Sequence, residues 1–206
     1  MAARPVSPTL ENLAQVLSHS ADGKVLFPVG VLVLGVFAAV RRIGWARWIG
    51  AMLLGAILCG LLANVFRGLI GRTRPEAPVE QGWFGPRKDG HWIVGKHAYS
   101  SFPSGHTAAA GGFGLVLFLR GRRWGVIGAA YALSVAWSRV QLGVHRPSDV
   151  AAGLLLSAVV VFLVRDRLRA FLGIHFRSDW APFFPIGSRP RKAQGLADDS
   201  QDLVPT

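Results

Sequence analysis

Three short polar clusters interrupt an otherwise strongly apolar chain, and each lies where an apolar stretch begins or ends. In chain order they are R-G-L-I-G-R-T-R-P at 67–75, P-S-G-H at 103–106, and S-R at 138–139 followed by His145 and Asp149. The clusters contain arginines, histidines, a carboxylate and a serine–glycine turn. Such a set can bind a phosphate without a metal and transfer its phosphoryl group to a histidine. Because charged side chains at membrane depth are costly, their default interpretation is a functional site.

The first cluster contains Arg67, Arg72 and Arg74. On one continuous helix, Arg67 and Arg74 would share a face, about 10 Å apart along the axis. Pro75 predicts that this helix ends here, since the residue before a proline avoids the helical region. Two guanidinium groups near a helix end can clamp the oxygens of one phosphate. For this cluster taken alone, contact of both arginines with anionic lipid headgroups is the stronger interpretation.

The second cluster opens the third apolar run. Ser104 is a good N-cap residue, and Gly105 lets a ligand approach the backbone closely. The free N–H groups at such a helix start form an anion site, where His106 could donate a proton to a leaving oxygen. Taken alone, the tetrapeptide is also compatible with a simple helix start.

The third cluster ends the fourth run with Arg139 and begins the fifth with Pro147, which suits the first position of a helix. Asp149 then falls in the first turn, from which its carboxylate can reach back to the preceding chain, as in a capping box, and there contact His145. Such a contact would fix the imidazole tautomer and leave the other nitrogen free as a nucleophile. An aspartate that only stabilises the helix dipole is an equal alternative for this cluster alone.

Composition and patterning indicate a membrane protein. Of 206 residues, 51% are hydrophobic and 17% are charged, and the mean hydropathy is +0.37. Five apolar runs, each at or slightly below the roughly 20 residues that cross a bilayer, lie at Val25–Val40, Trp48–Phe66, Ser104–Leu119, Trp124–Val140 and Asp149–Val164. They have almost no polar faces, which argues against a soluble bundle. We therefore predict an all-α fold, a polytopic transmembrane bundle of about five spans.

The basic residues predict the topology. Three groups fall on one side of the membrane if all five runs cross, namely Arg41, Arg42 and Arg47, then Arg120, Arg122 and Arg123, then Arg165, Arg167 and Arg169. The positive-inside rule makes that side, and with it the C-terminus, cytoplasmic. The three polar clusters then face the extracytoplasmic side, and a bacterial inner membrane is the expected location. The net charge of +12 does not indicate nucleic-acid binding, because the arginines form no single stripe and accompany no nucleic-acid motif.

The remaining segments divide the chain into a proposed N-terminal amphipathic segment (1–24), a transmembrane domain (25–173) and an irregular, partly disordered tail (174–206). Ser7 and Pro8 predict a helix start, and the apolar stripe that follows suits either a helix on the outer interface or a cap packed on the bundle. The long connection 76–102 is aromatic and without strong periodicity, which is typical of binding loops and lids.

The order and spacing of the clusters resemble the signature of the type 2 phosphatidic acid phosphatase superfamily, K-x6-R-P, P-S-G-H and S-R-x5-H-x3-D. The resemblance covers residues 67–149 and is specific, because all three parts occur together in a membrane chain. Arg67 stands where lysine is usual in the family. Five spans are one fewer than is common there, and the N-terminal segment is a candidate to replace the missing one.

The resemblance implies a role for each matching residue. His145 would be the nucleophile that forms a phosphohistidine, Asp149 its orienting partner, and His106 the general acid and then the base that activates water. The cradle for the nonreacting phosphoryl oxygens would comprise Arg67, Arg74, Ser104, Gly105 and Arg139. The family is metal-independent, and we expect no metal or other cofactor, since His91 and His97 lack matched partners.

The leading hypothesis is an integral-membrane phosphatase whose partners are the bilayer and a lipid phosphate. Phosphatidic acid, phosphatidylglycerol phosphate, a polyprenyl diphosphate and a lipid A phosphate are the candidate substrates. A phosphotransferase with an alcohol acceptor is a second hypothesis, and a non-catalytic lipid-phosphate binder or transporter is a third. The related vanadium haloperoxidases are soluble and larger, so the apolar runs argue against that version. The sequence predicts no oligomeric state.

Overall fold

The computed structural model describes residues 7–172. They form six α-helices: α1 (Pro8–Ser20), α2 (Gly23–Ala39), α3 (Ile43–Ile70), α4 (Gly105–Phe118), α5 (Arg122–Gln141) and α6 (Pro147–Leu172). A small antiparallel hairpin, β1 (Arg87–Lys88) and β2 (His91–Trp92), and one 3-10 turn (His97–Tyr99) lie in the long connection between α3 and α4. The predicted all-α helical fold is confirmed. Each of the five predicted apolar runs corresponds to one of the helices α2 to α6, and α3 and α6 extend well beyond theirs.

Helix α4 lies at the centre and packs against α3, α5 and α6. Glycines allow the backbones to touch: a Cβ on Gly112 would meet the carbonyl oxygen of Gly55, and a Cβ on Gly114 would meet that of Gly128. Small residues are the usual means by which helices approach closely in lipid. The central position of α4 matters for the site, because its N-terminus carries the second polar cluster.

Two helices among the described residues are long and apolar enough to cross a membrane on their own, Ile43–Ile70 and Pro147–Ala170. The number rises to three if α1 and α2, which meet at a bend of 62°, are taken as one broken span. Helix α4 has 14 residues, about 21 Å at 1.5 Å per residue, which is less than a bilayer core. Five crossings therefore stay a prediction.

The N-terminal segment is a helix that packs on the bundle. Ser7 caps it and Pro8 occupies its first turn, as predicted. Ala14 and Ser18 are buried, and α1 lies against α5, while Leu13 and Val16 of the apolar stripe are exposed. Packing on one side thus coexists with an apolar outer face that suits lipid. The predicted tail, 174–206, lies outside the described residues.

Helix α3 differs from the prediction in its end. It stops at Ile70, and Gly71 follows in the left-handed conformation with φ 60°, which glycine adopts without strain. Arg67 is therefore on the last turn of α3, whereas Arg74 lies beyond it in the loop. The idea of one continuous helix that carries both arginines is wrong, because the turn comes four residues before Pro75.

The long connection folds back onto the same end of the bundle. The Arg146 guanidinium, on the turn between α5 and α6, donates to the Thr73 carbonyl at 2.7 Å and to Gln81 Oε1 at 2.5 Å. The Arg74 amide donates to the Ala98 carbonyl at 2.8 Å. These contacts hold the start and the end of the loop over the site.

Candidate active site

The structure brings the three polar clusters together where α3 and α5 end and α4 and α6 begin. Arg72 of the first cluster contacts Asp149 of the third at 2.5 Å. The Ser104 amide of the second donates to the Asp149 carbonyl at 3.0 Å. These links join residues up to 77 positions apart. The fold thus brings segments that are distant in the sequence into one site.

The start of α4 is built without a conventional cap. Ser104 occupies the N-cap position with extended backbone, but its side chain caps no amide. Its hydroxyl instead accepts a hydrogen bond from Thr107 Oγ1 at 2.9 Å. Ser104 therefore occupies the predicted N-cap position without a capping hydrogen bond. The uncapped amides are donors suited to an anion at this helix start.

Gly105 leaves room for the close approach of Arg67. A Cβ at residue 105 would overlap the Arg67 guanidinium, whose Cζ would be 2.9 Å away. The same guanidinium donates to Asn64 Oδ1, one turn earlier on α3. Arg67, in the place where lysine is usual in the resembling family, is therefore pinned between its own helix and the first residue of α4.

Three arginines gather at the site with few carboxylates to balance them. Arg74 and Arg139 are 6% and 8% exposed, and Arg67 lies close enough to both to repel them. The Nε atoms of all three are buried without a hydrogen-bond partner among the described residues. Burial lowers the pKa of Arg74, and Glu76, 3.5 Å away, opposes the shift. An anion is the ligand that would satisfy these groups.

His145 and Asp149 form a buried pair beside the arginines. Nδ1 of His145 lies 3.6 Å from Oδ2 of Asp149, slightly longer than a hydrogen bond. Nε2 of His145 is also buried and has no partner among the described residues. Burial lowers the pKa of His145, and Arg74 and Arg139 add to this, whereas Asp149 opposes it. The imidazole is therefore neutral at pH 7, the state that a nucleophile needs.

Asp149 is held from several sides. It accepts from Ser101 Oγ at 2.6 Å and from the Arg146 amide at 2.8 Å through Oδ2, and from Arg72 through Oδ1. The contact with the Arg146 amide is the backward reach that the sequence predicts for a first-turn aspartate. With its lone pairs engaged in this way, the carboxylate has one fixed orientation toward His145.

His106 lies on the first turn of α4, with its side chain 28% exposed. Together with Arg67 it forms the polar end of a cavity of about 240 Å³ between α2, α3 and α4. The rest of the wall is mostly apolar and includes Phe27, Ile57 and Leu61. A group with a charged head and a hydrocarbon tail would fit these two ends.

Four residues at the site lack a role in the sequence prediction. Arg72 belongs to the first cluster and stacks on Trp83, with Cζ 4.4 Å from the ring centroid, and Ser101 lies just before the second cluster. Proximity to the motifs is a signal for these two. Ser18 accepts from Arg139 Nη1 and Asp22 lies beside His106, and no spacing pattern links either of them to the clusters. Among the described residues, no group of three or more His, Cys, Asp or Glu could hold a metal ion.

Fold and site together define a helical membrane protein with a buried, strongly cationic site at one end of the bundle. The family model for the PAP2 superfamily matches residues 48–170. This match contains all three clusters, and the chain belongs to the PAP2 superfamily.

Individual relatives are phosphatases of membrane lipids by name. The lipid A 1-phosphatase of Rhizobium johnstonii is 38% identical over 115 residues, which cover 55% of this chain and 46% of that protein. The undecaprenyl-diphosphatase of Sulfolobus acidocaldarius is 30% identical over 156 residues, 75% of this chain and 69% of that protein. The chain spans about half the length of the lipid A 1-phosphatases that it matches.

A solved structure shares the fold. The crystal structure of a transmembrane PAP2 type phosphatidylglycerolphosphate phosphatase from Bacillus subtilis superposes with a TM-score of 0.60 at 25% identity. The match covers 84% of this chain and 82% of that one. The bundle, including elements outside the family-model match, is therefore similar to that of a membrane phosphatase.

Proposed function

We propose that this protein is an integral-membrane phosphatase that hydrolyses a lipid phosphate monoester or diphosphate through a phosphohistidine on His145, without a metal. The observation that carries the proposal is the buried, unpartnered Nε2 of His145 beside Arg74 and Arg139. A neutral imidazole nitrogen next to an anion cradle is positioned to attack a phosphorus atom.

The reaction would run in two displacements. Nε2 of His145 attacks phosphorus while the bond to the leaving oxygen breaks, and His106 donates a proton to that oxygen. His106 then takes a proton from water, the water oxygen attacks the phosphohistidine, and phosphate leaves as His145 is restored. Asp149 orients Nδ1 throughout.

The cradle would neutralise charge in a loose transition state. Arg67, Arg74 and Arg139, with Ser104 and Gly105 at the start of α4, would bind the nonreacting oxygens. Guanidinium groups supply the stabilisation that a metal supplies in other phosphoryl-transfer enzymes.

The substrate class is a lipid phosphate. The relatives named above act by name on lipid A, undecaprenyl diphosphate and phosphatidylglycerol phosphate. The cavity beside His106 has a polar end and apolar walls, which suits a lipid that enters sideways from the bilayer. The loop 76–102 would select the headgroup, and we assign the site to the extracytoplasmic side from the basic groups at the opposite helix ends.

Phosphate release by the purified protein from a panel of lipid phosphates tests the proposal and identifies the headgroup. His145→Ala should lower turnover by at least roughly 10³-fold and abolish the acid-labile phosphoenzyme trapped by rapid quenching. His19→Ala, which removes an exposed histidine of α1, is the matched control and should keep both. Activity of His145→Ala near that of the natural chain would contradict the phosphohistidine mechanism.

Two further arms separate the alternatives. EDTA should leave the rate unchanged, and a loss restored by one divalent ion would contradict the metal-free mechanism. Excess glycerol should not divert the product from phosphate to glycerol phosphate, and such diversion would favour phosphotransfer.

A further inference from the structure

The turn between α1 and α2 reaches into the site. Oδ2 of Asp22 lies 3.7 Å from Nε2 of His106. Asp22 precedes the residues that the family model matches, 48–170, and belongs to none of the three clusters. An aspartate from the N-terminal segment is thus the acidic neighbour of the histidine to which the proposed function assigns proton transfer.

Besides Asp22, the charged and titratable groups that face His106 are two arginines and a histidine. They approach from α3, α5 and the turn before α6, and they are Arg67, Arg139 and His145. On α6, Asp149 is engaged by Arg72 and Ser101. On α2, Lys24 interacts with Asp22 itself. A proton on His106 next to two guanidinium groups needs a compensating negative charge.

The Asp22 carboxylate is fixed in place. Its Oδ1 accepts from the Lys24 amide at 2.9 Å and caps α2, which leaves Oδ2 for His106. The pKa of Asp22 is lowered, mainly by this amide hydrogen bond and further by His106 and Lys24, although burial opposes the shift. The carboxylate is therefore ionised at neutral pH.

The helix before Asp22 is anchored independently. Ser18 accepts a hydrogen bond from Arg139 Nη1, and the Tyr131 hydroxyl donates to the Ser20 carbonyl at 3.3 Å. Ala21 is 2% exposed. The α1–α2 turn is thus held against α5, and the distance from Asp22 to His106 follows from the packing.

We propose that Asp22 is a positioning residue that orients His106 and stabilises its imidazolium, so that His106 can protonate the leaving oxygen. This inference rests on the proposed function, since it presupposes that His106 is the general acid. Asp22 acts through His106 and does not touch the reacting atoms.

Asp22→Asn isolates the charge, because asparagine is as good an N-cap as aspartate. A general acid must be protonated, so activity falls as the pH rises and His106 loses its proton. Without the Asp22 carboxylate, His106 loses its proton at lower pH, and the fall in activity moves to lower pH with it. We expect the basic limb of the kcat/KM profile to move down by about 1 pH unit. The rate on a lipid phosphate with an alkyl leaving group should fall roughly 10- to 100-fold.

Comparison of two leaving groups distinguishes the proposed role from a merely structural one, because a structural role would lower the rates on both substrates equally. On p-nitrophenyl phosphate, whose phenolate leaves with little help from an acid, Asp22→Asn should lose less than about threefold. Asp22→Glu should recover part of the lipid phosphate rate. Glu11→Gln removes an exposed carboxylate from the same segment and should match the natural chain on both substrates.

If the Asn variant is not monodisperse in detergent, Asp22→Ser, another neutral N-cap residue, takes its place. An unmoved basic limb, or equal losses on both substrates, would overturn the inference. The proposed function fails separately, since its failure would show as the absence of a phosphoenzyme in the natural chain. A trapped phosphohistidine together with an unaltered Asp22→Asn profile would reject the role of Asp22 alone.

Discussion

Asp149 makes contacts with residues from several segments of the site. Arg72, Ser101 and the Arg146 amide all donate to it, and His145 lies 3.6 Å from the same carboxylate. The donors keep the carboxylate ionised and immobile in a buried place, where an unpaired charge would be costly. Its orientation toward His145 therefore depends on residues that take no part in the proposed chemistry.

Asp149→Asn should reduce turnover by roughly 10³- to 10⁴-fold, because the wrong imidazole tautomer would face the phosphate. The residual activity should also change its pH dependence. Asp149 raises the pKa of His145 against the lowering by burial, so its neutral replacement lets His145 lose its proton at lower pH. The acidic limb of kcat/KM, where a nucleophilic histidine becomes protonated, should thus move to lower pH.

The pH profile of detergent-purified Asp149→Asn, on a panel substrate that the natural chain hydrolyses, checks both effects. Gel filtration and thermal melting must show that the variant is folded. A limb that moves to higher pH would mean that Asp149 does not stabilise the imidazolium of His145.

At the scale of elements, the sequence predicts the helices better than their ends. Apolar runs and small residues suffice to predict α2 to α6, since each run must either be buried in the protein or face lipid. The end of α3 differs from the one that Pro75 predicts, because the helix already ends before Gly71, and glycine after a helix is itself a stop signal. As a result, Arg74 enters the site from the loop and not from the helix.

The contribution of α1 could not be predicted from patterning. Its apolar stripe suits a lipid-facing helix, and Leu13 and Val16 are indeed exposed. The contact that matters is between Ser18 and Arg139, which are 121 residues apart, and a lone serine in a short helix gives no sign of it. Long-range polar contacts of this kind depend on the packing angle between helices. That angle cannot be predicted from the periodicity of a single sequence.

Gly105→Ala tests the junction between α3 and α4. The added methyl group would overlap the Arg67 guanidinium and drive it from its place, with little effect on the helix, where alanine is favoured. We expect the inhibition constant of vanadate, a phosphate mimic, to rise roughly tenfold or more, as for the loss of one charged hydrogen bond.

Gly35→Ala is the matched control, because a Cβ there has nothing within 4 Å. Vanadate inhibition of this variant should equal that of the natural chain. Unchanged inhibition of Gly105→Ala would mean that Arg67 does not contact the bound anion.

At the scale of the whole molecule, arginines lie at both ends of the bundle. The site lies at the C-terminal end of α3, whose 28 residues span about 40 Å. At the other end, Arg120 stacks on Trp45, with Cζ 3.8 Å from the ring centroid, and lies 5.5 Å from that of Trp124. Tryptophan is enriched at both membrane interfaces, whereas arginine is enriched in cytoplasmic loops, so the arginines at this end are the basis for predicting that it is cytoplasmic.

The last prediction concerns the side of the membrane that the site faces. In intact cells, a cysteine at Glu80, whose side chain is 70% exposed in the loop, should react with a membrane-impermeant thiol reagent. A cysteine at Arg123, which is exposed at the opposite helix ends, should react only after permeabilisation. The natural chain is the control, because Cys59 is 0% exposed. The reverse labelling would put the site in the cytoplasm and make an inner-leaflet lipid phosphate the substrate. The expected labelling restricts the substrate to lipids whose phosphate lies on the outer leaflet.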